Sequence, residues 1–527
     1  MKKRNWKRLL ASALTLALTL GSLGAAVSVH ASEDNGEPVY GGILNVSREG
    51  TMGENDLYPH LKMNTQAYVT MAPAIEKLFY LNAQGEMVPQ LATSWDVSED
   101  GLTYTFHLAE GVKFHDGSDF NAEVAKWNLD QAKAVVDELG TGTSNGAMES
   151  ATVIDDHTLE VKFSTMYATL FLALDVYMAS QKAYEENGVE WCSKNPVGTG
   201  PFVFDHWTLD SELVYTKNEN YWVEGQPYLD GITFKVIKEN SVLSASMKSG
   251  EVDLIHYAPS TDLMDALRNE PGVTTLISEQ SSGFTEWIPC GLETSPFRDE
   301  NVRKAIAYGV DFAAIVDSIG ADNVVYSNQF AIDSNMFYNS NVVNYEYDPE
   351  KAMELLKEAG YDDSNPLSVE LITENVPAHK LMSEAIQAYL LQIGVNCEIN
   401  VMEGAAYFDN VIVGTWEDDW LVNMGTGSTA YCPLTGINRL MGANHAKMFP
   451  CVYFPDEWVE NVVESAAQLT LEEAVPCFQK ANEVMFNDYC GMYGIRCALD
   501  TVFIRDYVRN YNMDNQIIQF GTLWKTE

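Results

Sequence analysis

Stretches with the two-residue period of a strand alternate with stretches of 3.6-residue period along this chain, and no unit of about 20–50 residues repeats. That alternation requires layered sheet and helix, an α/β fold, and excludes a solenoid. Gly41 to Val46 reads as a short buried strand, and Ala92 to Phe114 reads as β throughout. Within the latter, Leu102, Tyr104, Phe106 and Leu108 share one face, after a turn at Ser98-Glu99-Asp100-Gly101. Asn121 to Leu139 reads as a helix with Asn121 as N-cap and Glu123 in its first turn. Thr158 to Phe163 returns to strand. Residues 298–319, 349–359, 378–393 and 470–487 carry helical patterns with one buried face.

Charge narrows the function. The 527 residues hold 75 Asp+Glu against 32 Lys+Arg, a formal charge of −43, which repels nucleic-acid phosphates and anionic membranes. With 46% hydrophobic and 11% aromatic residues the chain can bury a large core. At about 150 residues per domain its length suits two to four domains or lobes. The N-terminus reads as an export signal: Lys2, Lys3, Arg4, Lys7 and Arg8, then an apolar run from Leu9, then Val29-His30-Ala31 as a cleavage site. No Cys stands there to carry a lipid. An exported, extracytoplasmic protein is expected, so its eight Cys meet a compartment where disulfides persist.

Catalytic and metal motifs fail on context. Gly142-Thr143-Ser144-Asn145-Gly146 has the nucleophile-elbow spacing but follows a helix among loop residues. Asp96-x-Ser98-x-Asp100-Gly101 begins like a calcium loop, yet His107 occupies the twelfth position. Gly425-x-Gly427-x-x-Ala430 lacks a βαβ setting. The nine His are dispersed, so neither metal nor cofactor is expected, and no enzyme. What does stand out is Trp416-Glu417-Asp418-Asp419-Trp420. Two aromatic faces with carboxylates between them suit an ammonium group, and a solvated acidic turn with buried Trp rings is the competing reading.

Six blocks in order carry a resemblance. They are Gly85 to Trp95 with Ser98 to Phe106; Gly111-Val112-Lys113-Phe114-His115-Asp116-Gly117; Pro196-Val197-Gly198-Thr199-Gly200-Pro201-Phe202 with Asn218 to Trp222; Gly250-Glu251-Val252-Asp253-Leu254; Phe297-Arg298-Asp299 running to Ile306; and Tyr347-Asp348-Pro349 running to Tyr361. In these the chain resembles the extracytoplasmic solute-binding proteins of ABC importers, the dipeptide, oligopeptide and nickel-binding family. The resemblance implies a two-lobed periplasmic-binding-protein-like fold of the large peptide-binder class, with an additional inserted domain. It implies a signal peptide over 1–31, lobe I over 32–76, 195–285 and 498–527, the inserted domain over 77–194, and lobe III over 286–497. A monomer that delivers a peptide or small solute to an ABC permease is expected.

The resemblance also implies pocket residues. Asp419, three after Trp416, resembles the acid that grips a peptide amino terminus, and Trp416 with Trp420 resembles an aromatic pair of the nickel binders. Lys62 falls where those proteins have an aromatic. Asp175-Val176-Tyr177 stands where their arginine is expected, and upstream of the 380–393 helix only His379 and Lys380 replace a carboxylate-binding arginine. These substitutions point to a ligand bearing an amine and needing no carboxylate clamp. Cys432 and Cys451 resemble a disulfide pair closing a loop of about 20 residues, with Cys490 and Cys497 as a second candidate.

Overall fold

A computed structural model describes residues 36–48, 57–60, 65–82, 86–139, 148–165, 168, 174–256, 261–320, 323–412, 414–427, 432–434, 436–437, 451–513 and 518–526. The export signal, Lys62 and the Gly142–Gly146 motif lie outside these. No helix among the described residues is long and apolar enough to cross a membrane.

Local chemistry sets the elements. Asp100 accepts from the Ser98 hydroxyl (2.6 Å) and the Leu102 N–H (3.1 Å), and Gly101 takes φ 70°, so the chain reverses into the strand Thr103–Leu108. Tyr104, Phe106 and Leu108 are buried there, as their alternation predicts. Asn121 Oδ1 caps the helix Ala122–Leu139 by accepting from the Val124 N–H. The helix read over 298–319 is two, Glu300–Gly309 and Phe312–Ile319, because Asp299 and Asp311 each cap one. Gly198 and Gly200 serve a close approach rather than a special turn. A Cβ on Gly198 would stand 2.1 Å from Ala74 O, the same carbonyl that accepts the Gly200 N–H.

One eleven-stranded sheet runs through both lobes. Its spine is the antiparallel pair Val273–Pro289 and Tyr493–Arg505. On one side follow Leu254–His256, Ile43–Arg48, Gly231–Val236, Glu212–Lys217 and Phe202–Thr208; on the other Trp420–Gly427, Ser368–Glu374 and Asn396–Met402. Separate apolar cores form around Leu44, Phe202 and Phe234 in the first lobe and around Trp287, Ile306 and Leu371 in the second. A third core, around Phe79, Phe106 and Leu159, belongs to a four-stranded antiparallel sheet beside the first lobe. The spine's register shifts between Ile277 and Ser281, again before Gly283, and once more between Thr285 and Trp287. Around the first two shifts the Ser281 hydroxyl donates to Gly283 O (2.7 Å) and Ala498 O (3.2 Å). Bulges of this kind loosen and twist a ladder, which suits a joint between two rigid bodies.

Candidate functional site

Strand direction locates the site. In the first lobe Ile43–Arg48 runs parallel to Gly231–Val236 and Leu254–His256, and His256 pairs with Val502 beside the bulged joint. In the second lobe Ser368–Glu374 runs parallel to Asn396–Met402 and Trp420–Gly427, and Gly427 pairs with Gly283 at the same joint. Ligands of open α/β sheets collect beyond the carboxyl ends of the strands. Both sets of carboxyl ends therefore flank the joint, and the cleft between them is the candidate site.

This geometry bears on the tryptophan-based expectation. Trp420 is the first residue of its strand, paired with Glu370, so Trp416, Asp419 and Trp420 sit at the amino edge, away from the cleft. Trp416 is 2% exposed, its indole N–H donating to Val411 O (2.8 Å), while the Trp420 indole donates to Glu370 Oε2 (2.8 Å). Both rings are core, with their polar atoms satisfied. Burial, then the charges of Glu370, Asp418 and Glu417, raises the pKa of Asp419.

The second group of candidates is engaged elsewhere. Asp175 Oδ1 lies 2.6 Å from the Lys77 ammonium, and Lys77, 2% exposed, lies over the Tyr177 ring at 4.4 Å to its centroid. Tyr177 stacks on Tyr68 (5.7 Å) and donates its hydroxyl hydrogen to Tyr68 O. Asp175 thus neutralises a buried lysine of this chain. Lys77 went unread in the sequence; the charged pair Glu76-Lys77 between Ala74-Ile75 and Leu78-Phe79-Tyr80 is the signal that marks it. Tyr177 belongs to the first lobe's core, and Trp416 and Trp420 to the second's, so the two groups do not meet.

Of the cysteines expected to pair, Cys451, Cys490 and Cys497 carry free thiols. Cys451 Sγ accepts the Trp416 N–H (3.2 Å), and the Cys490 thiol is directed to Arg303 O. Burial raises the Cys490 thiol to about 12.

Other polar residues of the second lobe are grouped by strand register. Thr285 lies opposite Gly425 on one neighbouring strand and Arg496 on the other. His379, in the first turn of the helix Pro377–Gln392, is pushed down to about 4 by burial and by the charge of Arg496. Arg496 is thus near enough for its charge to act on His379. A single cation in the apolar run Tyr493 to Leu499 is the sequence signal for it. Across the cleft His256 Nδ1 lies 3.1 Å from the Tyr511 hydroxyl, and loss of hydration holds it at about 4.

A bulged joint flanked by the carboxyl ends of two sets of strands in one sheet, with a separate four-stranded sheet beside them, fits a two-lobed binding fold. The profile of the bacterial extracellular solute-binding proteins, family 5, middle region, matches residues 86–436, and the chain belongs to that family. A heme-binding protein A of Haemophilus influenzae is 28% identical over 434 residues, 76% of this chain and 77% of that protein. A glutathione-binding protein of Escherichia coli O1:K1 / APEC is 29% identical over 342 residues, 63% of this chain and 66%, just under two thirds, of that protein's length. The solved structure of NikA from Brucella suis in complex with Fe(III)-EDTA shares the fold, with TM-score 0.79 at 23% identity over 92% of this chain and all of that one. Members of the family are substrate-binding transport proteins of ABC importers.

Proposed function

We propose that this exported chain captures peptides or related amine-bearing solutes between its two lobes and delivers them to an ABC permease, with no chemistry of its own. The observation that carries this reading is the pair of carboxyl-end strand sets facing each other across the Ile277–Gly283 joint. A relative named for glutathione, a tripeptide, supports the peptide class. The amine of such a solute is no longer assigned to Asp175 or Asp419, for the reasons above. A nickel chelate or another small solute is the second reading, in keeping with the fold shared with NikZ from Campylobacter jejuni, solved in complex with Ni(L-His).

Isothermal titration of the whole chain with di- and tripeptides, glutathione, heme and chelated nickel separates these. A bound peptide at about 100 times its Kd stabilises the fold by about 2.7 kcal/mol, visible as a raised melting temperature. Binding of nickel chelate alone would replace the first reading with the second, and binding of none of these solutes overturns both.

A further inference from the structure

We propose that Gln280 is a positioning residue for lobe closure. Clasped by Ser334 and Asn335, it fixes the bulge of the spine to the second lobe and confines the pivot to Ile277–Ser278 and Asp500–Thr501. This deepens the two-lobed solute-binding reading and rests on it.

Core membership draws the border between the lobes along the spine. Leu276 and Val502 are buried in the first lobe's core, while Phe284 is buried in the second's and Leu499 packs against it. Between these residues the two strands differ in length. Ile277 pairs with Thr501 and Ser281 with Leu499, so Ser278, Glu279 and Gln280 stand opposite Asp500 alone. A strand with surplus residues has a disrupted ladder there and bends most easily, which is where a hinge belongs.

The surplus is strapped down. Gln280 Nε2 donates to Ser334 O (3.1 Å), and Gln280 Oε1 accepts from Asn335 Nδ2 (2.9 Å). The Ser334 hydroxyl donates to the Glu279 carbonyl. An amide engaged at both its donor and its acceptor end is held in one orientation, and the three bonds tie adjacent bulge residues to one turn. That turn belongs to the second lobe. Ile332 and Phe337, on either side of it, are buried in the same core as Phe284. Asn335 is pinned within it: its backbone N–H donates to Ile332 O (2.8 Å) and its Oδ1 accepts the Phe337 N–H (3.0 Å). Glu279 and Gln280 therefore move with the second lobe although they continue the first lobe's strand. Ser278, whose hydroxyl accepts the Gln280 N–H (3.0 Å), is the last residue before the strap. Ile277–Ser278 and Asp500–Thr501 are left to absorb the rotation. A short pivot loses little freedom when the lobes close, whereas a slack one must be ordered at every capture.

The test compares the whole chain with Gln280→Leu, which removes the amide at similar bulk, and with Ser334→Ala. Hydrogen exchange and small-angle X-ray scattering are read without ligand. In both variants the amides of segment 277–283 should exchange about 2- to 10-fold faster, as loss of one or two hydrogen bonds implies. The radius of gyration should rise, because a slack joint samples wider lobe angles. Trialanine and glutathione, used as probes in stopped-flow, should leave both variants faster by the same factor. Faster exchange confined to 331–338, with scattering unchanged, makes the strap a brace of its own turn and overturns the proposal. Unchanged exchange over 277–283 overturns it as well. Ser334 is exposed and its truncation hollows no core, so the second variant decides the matter where the first misfolds. Failure of both probes to bind overturns the peptide reading, while the ligand-free readouts still decide the strap.

Discussion

The ammonium of Lys77 and the carboxylate of Asp175 lie 2.6 Å apart, 98 residues distant in sequence, where the first lobe meets the inserted domain. Lys77 is almost wholly removed from water, and burial lowers its pKa while Asp175 raises it. Removing only the acid strands a buried charge. Asp175→Asn should therefore destabilise the fold by about 3 kcal/mol in urea unfolding, and adding Lys77→Met should restore most of that loss. Unchanged ligand affinity in Asp175→Asn, once folded, is the companion outcome.

Trp416 and Asp419 separate packing from binding. Trp416→Ala empties a site in the second lobe's core and should cost about 3–5 kcal/mol of stability. Asp419→Asn should leave the affinity for every solute that binds within about twofold, because the residue lies at the amino edge of its strand. A tenfold loss of affinity in Asp419→Asn would put the site at the other end of the sheet.

Two histidines set an acid limit. His60 is 4% exposed, near the Tyr58 hydroxyl (3.2 Å), and burial lowers it to about 4; His256 is lowered likewise. A histidine depressed in the folded state is neutral there while the unfolded chain takes up a proton below its ordinary pKa of 6.5. The stability they supply is thus full above pH 6.5 and lost as pH falls to about 4. His60→Gln should flatten the urea-midpoint profile across that window, by on the order of 2–3 kcal/mol.

Gly198 tests the close approach of two segments. Gly198→Ala forces a methyl against the Ala74 carbonyl and should cost several kcal/mol or prevent folding, by circular dichroism and melting. Gly111→Ala, where nothing lies within 4 Å, carries only the penalty of its φ of +73° and should cost about 1 kcal/mol.

Sequence by itself determined the elements and the class. The alternation at Leu102 to Leu108, the cap at Asn121 and the ordered blocks depend on neighbours a few residues apart, and local stereochemistry decides them wherever they occur. The binding residues were beyond such rules. Trp416 and Trp420 look like a binding motif until strand direction places them at the edge remote from the cleft, and Asp175 looks like a vacant anion until Lys77 fills its field. Arg496, Thr285 and Gly425 lie far apart in the chain and become neighbours only through the register of three strands. Side-chain availability is a property of who packs against whom, and only the tertiary structure decides that.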